Sequence, residues 1–293
     1  MNPTVDPKIV LITGTSSGFG LLSAARLASR GHIVYATMRN PDKQVALQEA
    51  VRKKGGQIQV MALDVTDKTS IRKAVEKILK DQGKIEVLIN NAGFGVGGFF
   101  EDLTDRDIRQ QFEVNFFGVL NCLREVIPSM RARRQGTIIN ISSVSGFQAN
   151  PCFGAYSSSK WALEAFTESL FYELQLFGIR VHLVEPGTFR TKIFHENARY
   201  AENFDNPLSP YFAWSQFLRH KMMAYVENCN KDPEMVAAPI EKIVRNPRMP
   251  FRNIPDFEGR FLYTLRRILP FGLYSAVVRK FLFGGFNKDD AKG

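Results

Sequence analysis

Tyr156 and Lys160 stand four residues apart in a stretch of helical periodicity, so both side chains project from one face. A free phenol has a pKa near ~10, too weak an acid and too scarce a base for chemistry at neutral pH. A neighbouring ammonium favours the phenolate and lowers that value, the part expected of Lys160. Alone, such a pair is a common feature of surface helices. Thirteen residues upstream of Tyr156, however, Ser143 sits in the loop Ser142-Ser143-Val144-Ser145-Gly146, just after the β-branched run Thr137–Ile141. Its hydroxyl is suited to hold a substrate oxygen beside the tyrosine. The three side chains then supply an acid, a tuning cation and a positioning donor.

A second constellation lies near the start of the chain. The apolar run Ile9–Ile12 leads into Thr13-Gly14-Thr15-Ser16-Ser17-Gly18-Phe19-Gly20 and then the helical pattern Leu21–Arg30, ended by Gly31. Strand, glycine-rich turn and helix, in that order, can cradle a pyrophosphate against the helix N-terminus. Gly14 permits the tight turn, Gly18 close approach of the cofactor and Gly20 close helix packing, with Ser16, Ser17 and Phe19 on the same loop. An ordinary strand-turn-helix connection uses the same residue types, so the loop takes its meaning from the residues beyond it. After the second apolar run, Ile33–Tyr35, comes Ala36-Thr37-Met38-Arg39-Asn40. It has no acid to bind an adenosine ribose, whereas Arg39 suits a 2′-phosphate, so NADP(H) is expected over NAD(H).

Both constellations need a scaffold, and the hydrophobic pattern predicts one. Further strands are expected at Gln59–Ala62, Val87–Asn90, Thr137–Ile141 and Arg180–Val184, with helices at Ser70–Lys80, Asp105–Val119 and Ser157–Leu176. Strands alternating with helices imply a doubly wound parallel α/β sheet of Rossmann type, covered on both faces. The whole chain, 293 residues and 44% hydrophobic, is expected to form a single domain. Its cofactor and catalytic core covers about 8–192, a helical substrate lid about 193–230, and a basic aromatic extension about 242–293. Asp232-Pro233-Glu234 reads as a helix start.

Cys122, Cys152 and Cys229 form no CxxC pair and have no histidine at ligand spacing, so no metal site or disulfide framework is expected. No secretory pattern opens the chain and no long apolar stretch suits a spanning helix, which suggests a cytoplasmic protein, at most peripheral to a membrane. Of the formal charge of +10, a net +7 lies from Lys242 onward, mixed with Phe, Leu and Tyr. That mixture argues against nucleic acid as partner and for a lipid-facing surface. A helix packed on the fold or at a subunit interface would carry the same residues.

With these motifs in order over roughly residues 8–192, the chain resembles the short-chain dehydrogenase/reductase family. Thr13 through Gly20 match its glycine motif, Asn90-Asn91-Ala92-Gly93 its Asn-Asn-Ala-Gly motif, and Ser143, Tyr156 and Lys160 its catalytic serine and Tyr-xxx-Lys pair. The resemblance implies Asn115 as a fourth catalytic residue, anchoring a water that relays the proton. It also implies Asp64 and Val65 around the adenine and Asn91, with Ala92 and Gly93, near the adenosine ribose. Pro186, Gly187, Phe189 and Thr191 would lie at the nicotinamide end, where Lys160 would also bind the ribose. The runs around Arg39 and Lys160 are similar to the 17β-hydroxysteroid and retinol dehydrogenase branch, implying interconversion of a carbonyl and an alcohol on a steroid, retinoid or long-chain aldehyde or ketone. Phe94, Val144, Phe147 and Phe153 flank the catalytic set and are expected to line the substrate pocket with Ser143 and Tyr156. A homodimer or homotetramer, paired through the helices holding Asn115 and Tyr156, is implied by analogy. Phe19, expected to point away from the phosphate, and Glu185, just before Pro186, depart from the commonest family pattern. The rival reading is a non-catalytic NADP(H)-binding module, redox-sensing or membrane-docked, which has no chemical need for all four of Asn115, Ser143, Tyr156 and Lys160.

Overall fold

The computed structural model describes residues 6–190 and 198–286. Its strands are β1 (Ile9–Thr13), β2 (Ile33–Met38), β3 (Ile58–Ala62), β4 (Val87–Asn90), β5 (Gly95–Gly97), β6 (Gly136–Ile141), β7 (Ile179–Val184), β8 (Ala198–Tyr200) and β9 (Arg252–Asn253). Seven of them form a wholly parallel sheet in the order β3-β2-β1-β4-β6-β7-β9, while β5 and β8 pair separately. Before β9 the helices are α1 (Gly18–Ser29), α2 (Val45–Lys54), α3 (Lys68–Gln82), α4 (Asp105–Phe112), α5 (Gly118–Ala132), α6 (Gly154–Gln175), α7 (Phe212–Glu227) and α8 (Glu234–Arg245). Two more, α9 (Phe257–Ile268) and α10 (Phe271–Phe283), come after β9.

The apolar runs are continuous because both faces of the sheet are covered. In β1, Ile9 and Leu11 join a core with α3, α5 and α6, while Val10 and Ile12 join a second core with α1, α2 and α8. Alternate residues of one strand thus enter opposite layers, as a period of two requires. The chain is a single doubly wound α/β domain, as the sequence pattern predicts.

From β1 the chain winds outward through β2 and β3, then returns to place β4 on the other side of β1. That reversal is the switch point at which such sheets bind ligands, beyond the carboxyl ends of the strands. The glycine loop after β1, the Asn91 turn after β4, the Ser143 loop after β6 and the Pro186 loop after β7 all emerge on this edge.

Three departures from the sequence pattern bear on the site. The helix expected at Asp105–Val119 starts as predicted, with a Thr104–Asp107 capping box, but runs to Ala132 and is interrupted by a π turn at Glu113–Phe117. The β5–β8 pair and the two-residue edge strand β9 had no signal of their own. Asp232-Pro233-Glu234 does start a helix, α8, which Arg26 of α1 holds through Glu241 at 2.6 Å and Glu234 at 3.1 Å. Thr191 and the first residues of the expected lid lie outside the described residues.

Candidate active site

The fold brings Ser143, Tyr156 and Lys160 together. Ser143 follows β6 and caps a short 3-10 turn, Val144–Gly146, its Oγ accepting the Ser145 amide at 3.1 Å. The same hydroxyl neighbours the phenol of Tyr156, in the first turn of α6, and favours its charged form. Lys160, one turn further on, is buried; its Nζ donates to the Ile141 carbonyl at 2.8 Å and lies 5.9 Å from the Tyr156 ring centroid.

Burial shifts both Tyr156 and Lys160. It raises the phenol above its ordinary 10.0, and the Ser143 hydroxyl opposes the rise. Lys160 is itself lowered to about 8 by burial, with the charge of Glu164 pulling the other way. Glu164 is one of the buried acidic groups near Lys160. Two buried carboxylates, Glu164 of α6 and Glu185 at the end of β7, are bridged by Arg252 of β9 at 2.7 and 2.5 Å. Ser142 Oγ also donates to Glu164 at 2.8 Å.

Burial, and the proximity of Glu164, push Glu185 up to about 8, and burial raises Glu164 as well. Burial and mutual repulsion thus favour the protonated form at this carboxylate pair, against the pull of Arg252. Glu185 Oε2 is a buried oxygen with no hydrogen-bond partner among the described residues. Sequence reading flagged Glu185 as unusual but had no means of finding Glu164 or Arg252.

Asn115 lies in the π turn and is 1% exposed. Its amide accepts from the Phe94 amide at 3.1 Å, donates to the Phe94 carbonyl at 3.0 Å and reaches Ser159 at 3.3 Å. The side chain therefore latches the β4–β5 turn to α6. Gln111, buried one turn earlier and absent from the sequence reading, makes the matching pair to the Val96 amide and Phe94 carbonyl, each at 2.8 Å. The π turn widens the helix here, as Gly118 bonds back to Glu113 rather than one residue nearer.

The glycine loop fits a dinucleotide phosphate. Gly14 and Gly18 take φ of +71° and +58°, the left-handed region glycine favours. A side chain at Gly14 would put its Cβ 2.6 Å from the Ala92 Cα, and one at Gly20 2.4 Å from the Gly14 carbonyl, whereas Gly18 faces open space. Ser16 lies between them, Ser17 is the N-cap of α1, and no acid occupies that helix's first turn. Asn91 ties the loop down: its Nδ2 donates to the Thr13 and Gly14 carbonyls at 3.0 and 2.8 Å, and the Asn91 and Ala92 amides both reach Thr13 Oγ1. Gly93 comes next, against Asn115. Arg39 is exposed just beyond β2 and has no carboxylate partner among the described residues. Asp64 and Val65 stand beyond β3, Asp64 holding Thr66 and Val65 packing on Gly118.

On the far side, the Pro186–Gly187 loop is held by a residue outside every motif. Asp256, fully buried at the start of α9, accepts the Gly187 amide at 2.9 Å and the Gly259 amide at 2.8 Å, with Lys231 at 3.4 Å. Phe189, expected near the nicotinamide, is 1% exposed and packs edge-on against Phe19 at 5.5 Å. It is core beneath the glycine loop, and Phe19 points into that core. Phe147 is also buried, against Tyr263 at 5.1 Å, whereas Phe94, Val144 and Phe153 are partly exposed. Among the described residues no cluster of His, Cys, Asp and Glu suits a metal.

The sequence pattern that defines the short chain dehydrogenase family matches residues 8–201. The chain belongs to that family of oxidoreductases. It is 39% identical to a 3-ketodihydrosphingosine reductase of Bacteroides thetaiotaomicron over 85% of this chain and 88% of that one. It is 34% identical to human retinol dehydrogenase 8 over 94% and 91% of the two chains. A solved short-chain dehydrogenase of Streptomyces avermitilis superimposes with a TM-score of 0.77 at 32% identity, covering 95% of this chain and 97% of that one. Nicotinamide cofactors of both kinds occur among related structures. A Burkholderia phymatum enzyme carries NAD, with TM-score 0.77, 26% identity and 90% and 93% coverage, and a metagenomic one carries NADP, with TM-score 0.67, 25% identity and 86% and 97% coverage.

Proposed function

We propose that this chain uses NADP(H) to interconvert a carbonyl and an alcohol on a lipophilic substrate. The observation that carries the reading is the placing of Ser143, Tyr156 and Lys160 together at the carboxyl edge of the sheet, beside a glycine cradle and the partly exposed Phe94, Val144 and Phe153. Lipophilic substrates also fit the relatives named for 3-ketodihydrosphingosine and retinol.

NADP(H), when bound, supplies or accepts the hydride. In reduction, Ser143 holds the substrate oxygen as charge builds on it, and Tyr156 gives that oxygen a proton. In oxidation, Tyr156 takes the proton back. Lys160 supplies a buried positive charge under the tyrosine, suited to the cofactor's ribose hydroxyls. Asn115 and Gln111 fix the Phe94 turn, and Asp256 fixes the Gly187 amide.

Arg39 supports the choice of NADP(H), since a guanidinium at the end of β2 pairs with a 2′-phosphate through charge-assisted hydrogen bonds. Such bonds contribute roughly 1.5–3 kcal/mol. Arg39→Ala is therefore expected to weaken NADPH binding about 10- to 100-fold while leaving NADH binding unchanged. Fluorescence titration of both cofactors checks it; an equal loss for the two would mean that Arg39 does not read the phosphate.

A further inference from the structure

From Phe257 to Phe283 the chain leaves a row of large apolar side chains uncovered. On α9, Phe257, Phe261 and Ile268 are 75%, 55% and 72% exposed and recur at helical spacing on one face. On α10, Phe271, Leu273, Val277 and Phe281 are 52–67% exposed. The two rows meet at the turn Leu269-Pro270. Exposed apolar surface on this scale marks an interaction site.

The charges on the same segment say what covers it. It holds five cations, Arg260, Arg266, Arg267, Arg279 and Lys280, and one acid, Glu258, which is already paired with Lys231 at 2.7 Å. None of the five cations is in an ion pair among the described residues. A second copy of the same face would bring like charges together, because symmetric pairing sets each patch against itself. An anionic bilayer matches both the apolar row and the cations. Among the described residues no helix is long and apolar enough to cross a membrane.

We propose that α9 and α10 lie in the interface of an anionic lipid bilayer. Phe257, Phe261, Ile268 and Val277 enter the acyl boundary, and Arg260 and Lys280 meet the head groups. The position has a functional consequence that rests on the lipophilic substrate proposed above. The inner side of α9 is the back wall of the Ser143 loop, with Tyr263 against Phe147 at 5.1 Å and Gly259 packed over Val144. One helix thus separates the bilayer from the catalytic serine, and substrate is delivered from the membrane.

The test is co-sedimentation of the full chain with vesicles of phosphatidylcholine alone or of equal parts phosphatidylcholine and phosphatidylglycerol. It needs no catalysis, so its failure is distinct from failure of the proposed reaction. The full chain is expected to pellet with the anionic vesicles and to be released by high salt. Each surface cation is worth about a fivefold change in binding, so the Arg260→Gln, Lys280→Gln double variant loses about twenty-five-fold. Phe257→Ser with Phe261→Ser loses at least as much, and both variants keep the native melting temperature. The proposal is overturned if the full chain stays in the supernatant, or if the variants pellet undiminished. It is equally overturned if light scattering finds a dimer that the Phe257→Ser, Phe261→Ser variant abolishes and vesicles do not bind.

Discussion

Tyr156→Phe is expected to lower kcat by about 10²- to 10⁴-fold, the range a positioned acid or base contributes. The change removes one hydroxyl and leaves the ring in its cleft, so the effect should fall on chemistry. NADPH affinity should stay within about fivefold, because a single hydrogen bond is worth only about 1 kcal/mol. Steady-state kinetics beside a cofactor titration separates the two quantities. A variant that binds NADPH normally and turns over at near-native rate would remove Tyr156 from the reaction. Ser143→Ala should give a smaller loss, since a positioned tyrosine remains to transfer the proton.

The second large effect concerns stability. Arg252 bridges Glu164 and Glu185, both buried, while its own side chain is 22% exposed. Removing one partner of a buried pair costs about 3–5 kcal/mol. Arg252→Met should accordingly lower the melting temperature by roughly 10 °C at neutral pH.

The raised Glu185 carboxyl makes the same cluster pH-sensitive. Glu185, raised from 4.5 to about 8, holds in the folded state a proton that the unfolded chain has released. Its stabilising contribution is complete below the unfolded value and is lost as pH rises through the folded one, so stability should fall between about pH 4.5 and 8. Glu185→Gln keeps a donor toward Glu164 without the titration and should flatten that slope. Thermal unfolding across this range tests it, and an unchanged slope in Glu185→Gln would assign the pH dependence elsewhere.

Much of the fold and part of the site could be read from residue order. The strands of the main sheet up to β7 are runs whose alternate residues enter two apolar layers, so periodicity alone located each of them. Ser143, Tyr156 and Lys160 carry recognisable types at recognisable spacing, and the fold sets them side by side. What escaped was contact between distant residues with no periodic signature. Asp256 reaches Gly187 across 69 positions, and Arg252 reaches Glu185 and Glu164 across 67 and 88. Spacing along the chain contains no trace of such pairs.

The anchoring of Lys160 on the Ile141 carbonyl was hidden for the same reason. That Phe189 and Phe147 are buried could not be read from the sequence, because a bulky apolar residue beside a catalytic motif looks the same whether it faces ligand or core. The π turn at Asn115 likewise comes from how the helix packs, with Asn115 and Gln111 both pulled onto the Phe94 turn.

The most direct measurement tracks the hydride itself. The full chain, supplied with NADPH deuterated at the transferable position of the nicotinamide, is incubated with long-chain ketones, retinal and steroid ketones, and the alcohols formed are weighed by mass spectrometry. One deuterium is expected on the carbinol carbon of at least one lipophilic product, and none at detectable level with Tyr156→Phe. NADPH bound tightly, with no deuterium in any product across these classes, would contradict the proposed reaction and favour a binding module that keeps the fold without it.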